Sequence, residues 1–178
     1  MIQHFLEFQS QAQFEPIKSF YLQDDLNQKV WGDDDKLKED LKKELLQIAN
    51  DYLDYLEVEV ELDDVILTGS LANYNWSKYS DFDIHIIVNY NQFSSTNVDL
   101  YKELFNLKKA LFNNSHDIKI FGYETELYVE GEEDAHFSSG VYSLLYDEWQ
   151  HQSEKEKVKI DKNTIKRKAK QWMNIIDG

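Results

Sequence analysis

Cysteine is absent from the 178-residue chain, which excludes disulfides, thiolate zinc sites and a cysteine nucleophile. Proline occurs once and glycine six times, too few for long flexible linkers. No apolar run approaches the roughly 18 residues that a membrane helix needs. Residues 1–8 have neither a basic start nor a continuous apolar stretch, so no signal peptide is expected and a cytoplasmic location is. Basic side chains are scarce over most of the length. Residues 1–150 carry 11 of them against 30 acidic ones, a net of −19, whereas residues 151–178 carry 8 against 4, a net of +4. An acidic body repels a phosphate backbone, which makes duplex DNA a poor substrate. Large apolar groups are plentiful, with 42% hydrophobic and 14% aromatic residues, so a disordered chain is excluded. The length suits one domain with a sizeable core.

The pattern along the chain divides it into an arm at residues 1–36, a core at residues 37–150 and a basic C-terminal helix at residues 151–178 packed on that core. Phe5, Phe8, Phe14, Phe20 and Tyr21 have no clean period, and Pro16 interrupts them. Leu37, Leu41, Leu45, Ile48, Tyr52 and Leu56 recur at three- and four-residue steps, which predicts a helix behind N-caps offered by Asp33, Asp34 and Asp35. A short strand, Val65 to Thr68, ends in Gly69-Ser70, and a second runs from about Asp81 to Val88. Val98, Tyr101, Leu104, Phe105, Leu107, Leu111 and Phe112 predict a helix to about Asn113. A third strand spans roughly Ile118 to Val129, with a break at Gly122, and residues 141–150 suggest a short helix. Ile165, Ala169, Trp172 and Ile176 mark the last helix. The expected fold class is α+β, a small mixed or antiparallel sheet flanked by helices.

The chemistry concentrates between residues 67 and 88. Residues two apart in a strand point to the same side, so Asp81 and Asp83 share a face while Phe82, Ile84, Ile86 and Val88 take the other. Two adjacent carboxylates repel, and a divalent cation removes the conflict. Mg²⁺ prefers a few carboxylates plus substrate phosphates, and two such ions about 3.5–4 Å apart suit an in-line displacement. Gly69 permits a sharp turn and close approach of a ligand; backbone N–H groups and the Ser70 hydroxyl would meet a phosphate.

Gly69-Ser70, ten intervening residues and Asp81-Phe82-Asp83 resemble the signature of the polymerase-β nucleotidyltransferase superfamily. The spacing is similar to that of its minimal nucleotidyltransferases, which include antitoxin partners of HEPN ribonucleases. The motif covers about 20 residues, and the order of elements extends the likeness to roughly residues 37–130. The resemblance implies a nucleotidyltransferase fold and two Mg²⁺ ions, with Mn²⁺ as the alternative. It also implies a third carboxylate on a later strand. In Tyr123-Glu-Thr-Glu-Leu-Tyr-Val129, Glu124, Glu126, Tyr128 and Glu130 share one face, with Glu126 the first choice and Glu124 the second. The implied reaction transfers a nucleoside monophosphate, AMP from ATP, to a hydroxyl acceptor: a small molecule, an RNA end or a protein side chain. Gly69 and Ser70 would bind the nucleotide; Asp81, Asp83 and Glu126 would be both metal ligands and catalytic residues.

Lesser candidates each carry a structural alternative. His85 shares the face of the aspartates, Ser80 precedes Asp81, and Lys78 lies where a triphosphate would pass. His136, Ser138, Ser139 and Tyr142 form a polar-aromatic group that would line a base or acceptor pocket. Tyr74 and Trp76 offer stacking surfaces, and Lys162, Lys166, Arg167, Lys168 and Lys170 a phosphate clamp. Two other functions remain open: an antitoxin-like partner that masks a second protein, and a metal- or nucleotide-binding domain without turnover.

Overall fold

The computed structural model describes residues 22–132 and 138–155, together with Asp161, Asn163, Thr164, Arg167, Lys168 and Gln171. The chain divides into two compact units, Leu22–Glu154 and a second of which only the last few of these residues are described. There, Asn163, Thr164, Arg167, Lys168 and Gln171 are helical, and Asp161 accepts hydrogen bonds from the backbone of Asn163 and Thr164 as an N-cap would. Lys162, Ile165, Lys166, Ala169, Lys170, Trp172 and Ile176, with the arm before residue 22, lie outside the described residues. No helix among the described residues is long and apolar enough to cross a membrane.

The first helix, α1, is Glu39–Leu56, and its apolar period buries Leu41, Leu45, Ile48, Ala49, Tyr52 and Leu56. It starts later than the sequence predicts, and Asp33, Asp34 and Asp35 do not cap it. Its N-cap is Lys38, without a side-chain cap. The reason is local pairing: Leu37 bridges to Trp31, and Asp33–Asp35 form the turn that closes the bridge, with Asp35 at φ 57°. Glu39 and Asp40 still supply negative charge to the first turn. Leu26, Val30 and Trp31, just ahead of this bridge, are buried in the core.

Strand β1 is Leu62–Thr68, three residues longer at its start than the apolar run predicts, and β2 is Phe82–Val88. They pair antiparallel, and a single 3-10 turn, Ser70–Ala72, begins the connection between them. Helix α2, Val98–Ser115, buries Phe105 and Phe112. Leu107 and Leu111, expected on its inner face, are 66% and 59% exposed, as is Leu100 at 64%. The third strand is broken at Gly122, as its sequence predicts. β3, Lys119–Ile120, turns through Phe121 and Gly122, both at positive φ as in a type I′ hairpin, into β4, Tyr123–Gly131. Residues 141–150 are not a helix. They form a hairpin of β5, Val141–Ser143, and β6, Glu148–His151, with Asp147 in the left-handed region at the turn.

The six strands form one open mixed sheet in the order β3-β4-β2-β1-β5-β6, and β2 and β4 run parallel. The fold class is α+β. Helices α1 and α2 pack on the same face of the sheet. Their buried side chains join Val65, Leu67, Phe82, Ile84, Ile86, Val88, Leu127 and Val129 in one core. The Tyr52 hydroxyl donates to the Phe105 carbonyl at 2.8 Å and ties α1 to α2. Because side chains alternate, the opposite face presents Asp83, His85, Glu126, Tyr128 and Glu130.

Candidate functional site

Register brings the carboxylates together. In the parallel pair, Asp83 lies opposite Glu126 and His85 opposite Tyr128; across the antiparallel pair, Asp83 faces Thr68. Asp81 stands just before β2. One oxygen from each of Asp81, Asp83 and Glu126 lies within 4.8 Å of the other two. Glu126, not Glu124, completes the cluster; Glu124 instead pairs with Lys119 of the neighbouring strand at 3.3 Å.

Gly69 is what lets Asp83 sit where it does. Its φ is 72°, and a Cβ there would lie 1.8 Å from Asp83 Oδ2. The turn is held from two sides. Gly69 N–H donates to Ser138 Oγ at 3.3 Å, and Ser138 donates to the Gly140 carbonyl. The Ser70 hydroxyl donates to Ser80 Oγ at 2.7 Å, which also accepts from the Ser77 backbone. The Ser70 hydroxyl, expected to meet a phosphate, therefore has an internal partner, and so does the Gly69 N–H. A phosphate would have to draw the Ser70 hydroxyl away from Ser80.

The electrostatics are those of a cluster of like charges. Burial, followed by the charges of Asp81 and Glu126, pushes the Asp83 carboxyl up to about 6. Burial raises Asp81 as well, with Glu126 and Glu124 adding to it. Among the described residues no basic side chain forms a salt bridge with Asp81, Asp83 or Glu126. Three convergent carboxylates, two of them part-buried, are a hard-oxygen donor set that fits a divalent cation of the Mg²⁺ or Mn²⁺ kind.

His85 is part of the framework beside the cluster. Its Nε2 is 3.0 Å from Thr68 Oγ1, its Nδ1 is 3.0 Å from Glu130 Oε2, and its ring stacks on Tyr128. Lys78 Nζ lies 4.7 Å from the Tyr79 ring centroid. Tyr74 and Trp76 pack against the core, and the Trp76 indole donates to the Asp25 carbonyl. Ser139 accepts from the Asn73 side-chain amide. Tyr142 is fully buried between Trp31 and Trp149, and its hydroxyl donates to Asp147. His136 lies outside the described residues.

Two contacts escaped the sequence. Ser138, named there as a pocket candidate, instead accepts from Gly69 N–H across 69 positions, a contact that no local pattern encodes. Tyr128, visible only as a neighbour on the face of Glu126, donates its hydroxyl to Glu126 Oε2 at 2.7 Å. A cleft of about 710 Å³ lies apart from the carboxylates, lined by Asp24, Asp25, Trp31, Asp33, Asp35 and Tyr74 among others. Compared with known protein families, curated proteins and solved structures, the chain matches none.

Proposed function

We propose that the protein is a metal-dependent nucleotidyltransferase that moves a nucleoside monophosphate, AMP from ATP, onto a hydroxyl acceptor. The observation that carries this reading is the convergence of Asp81, Asp83 and Glu126 beside the Gly69-Ser70 turn. Two parallel neighbouring strands supply the Asp83–Glu126 pair in register. The acceptor oxygen forms a bond to the α-phosphorus, the bond from that phosphorus to the departing pyrophosphate breaks, and the acceptor proton is lost to solvent or a carboxylate. Asp81 and Asp83 would hold Mg²⁺ or Mn²⁺, which when bound neutralises phosphate charge and polarises the reacting oxygens. Glu126, the exposed member, would help hold the metal that activates the acceptor hydroxyl. The chain itself supplies positioning and a partly desolvated floor. Pyrophosphate release from ATP, measured with a cell extract as the source of acceptor, tests the reading. Asp81→Ala or Asp83→Ala is expected to reduce it on the order of 100-fold or more; release that survives both changes contradicts it.

A second reading rests on a different observation. Leu100, Leu107 and Leu111 form an exposed apolar stripe along α2, seven and four residues apart. A protein that masks a partner in the manner of an antitoxin would use such a face. Co-purification of a second chain, lost on Leu107→Glu and retained on Asp83→Ala, favours this reading over the enzyme.

A further inference from the structure

Glu126 is the weak point of the carboxylate cluster. It is exposed, and a glutamate has one more rotatable bond than the two aspartates. Left to itself it would sample positions away from Asp81 and Asp83. Its neighbour two residues on removes that freedom. The Tyr128 hydroxyl donates to Glu126 Oε2 at 2.7 Å, a short bond to a carboxylate.

The phenol is itself held. Its ring lies on the His85 imidazole, with centroids 4.7 Å apart and planes 17° apart, and Lys109 Nζ lies 5.3 Å from its centroid. His85 is fixed in turn by Thr68 at Nε2 and faces Glu130 at Nδ1. The parallel register makes this possible, because Asp83–Glu126 and His85–Tyr128 are successive rungs on the same face. A carboxylate has two oxygens and about four lone-pair sites, so one bond from a phenol leaves capacity for a cation.

We infer that Tyr128 is a positioning residue: its hydroxyl, braced by the His85 ring, holds Glu126 in the orientation that completes the three-carboxylate cation site. This rests on the metal-site reading above. It assigns Tyr128 no contact with nucleotide or acceptor. Outer partners of this kind typically change metal affinity by about 10- to 100-fold.

The test is a Mn²⁺ titration of the full chain, followed by electron paramagnetic resonance of the free ion. Tyr128→Phe keeps the ring and its stack on His85, so the fold is expected to survive, and the metal-free thermal midpoint checks this. Tyr128→Phe is expected to weaken Mn²⁺ binding about tenfold. In a Glu126→Gln background the same change is expected to add nothing, since the partner it orients has lost its charge. A merely structural tyrosine would give additive losses, and that result overturns the proposal. Unchanged affinity in Tyr128→Phe, with Glu126→Gln weakened, overturns it too and leaves the metal site standing. If wild type binds Mn²⁺ no better than Asp83→Asn, the metal-site reading fails and takes the proposal with it.

Discussion

At the scale of single residues, Gly69 is packed so closely against the Asp83 carboxylate that no side chain fits there. A methyl group on Gly69 would overlap Asp83 Oδ2, and the backbone there is in a region that L side chains rarely adopt. Gly69→Ala is expected to destabilise the fold by roughly 1–3 kcal/mol in urea unfolding and to displace Asp83 from the cluster. Wild-type stability with normal Mn²⁺ binding would contradict that packing. Asp83→Asn should act in the opposite direction on stability. The folded carboxyl titrates at about 6 against an ordinary 3.8. Its contribution is therefore fully present below pH about 4 and is lost as pH rises to about 6. Without metal at pH 7.5, Asp83→Asn is expected to stabilise by about 1–2 kcal/mol. That is about half of what the full shift represents, because the group is partly exposed. At pH 4 the gain should vanish; an equal gain at both pH values would show that charge is not its source. The pair of aspartates was legible because strand alternation is local. Tyr128 was not: its bond depends on a rotamer that the His85 ring across the register determines.

At the scale of elements, strand β4 carries the third carboxylate, and its outer edge is covered in an unusual way. β3 pairs only with Tyr123 and Glu124. Beyond them, the Asn113 side chain of α2 donates to the Leu127 carbonyl at 3.0 Å and accepts from the Leu127 N–H at 3.2 Å. Asn113→Ala leaves both backbone groups short of a partner and is expected to cost about 1–3 kcal/mol. Hydrogen exchange should locate the effect in β4, with amide protection at Leu127 falling more than at Ile66 in β1. Uniform loss of protection would contradict a local edge role. Long amphipathic elements were readable, because α1 repeats its apolar residues over several turns. The β5–β6 hairpin was not. β5 has only three residues, too few to display a period of two, and Tyr142 and Trp149 each pack on Trp31, which is distant in sequence. The α1 start was misread because Leu37 fits the helical period yet is taken by the bridge to Trp31.

At the scale of the molecule, the net charge is −15, and the carboxylate cluster concentrates that excess where it has no salt-bridge partner among the described residues. A divalent cation should therefore stabilise the folded chain, and more so when the carboxylates are ionised. Mn²⁺ is expected to raise the melting temperature at pH 7.5 by several degrees and to have little effect at pH 5, below the Asp83 titration. An equal rise at both pH values, or one that persists in Asp83→Asn, would place the cation elsewhere. The sheet order and the parallel pairing of β2 with β4 could not be read from one sequence, since their register is set across about forty residues. That register is what turns a two-residue motif into a three-carboxylate site.

The most direct test of nucleotidyl transfer is to follow the nucleotide itself. Purified protein is incubated with each α-³²P-labelled nucleoside triphosphate, Mg²⁺ or Mn²⁺ and a cell extract, beside an Asp81→Ala/Asp83→Ala control. Label is expected to move from ATP to a protein, an RNA or a small molecule only when both aspartates are intact. No aspartate-dependent label and no pyrophosphate, with any nucleotide and either metal, would contradict it.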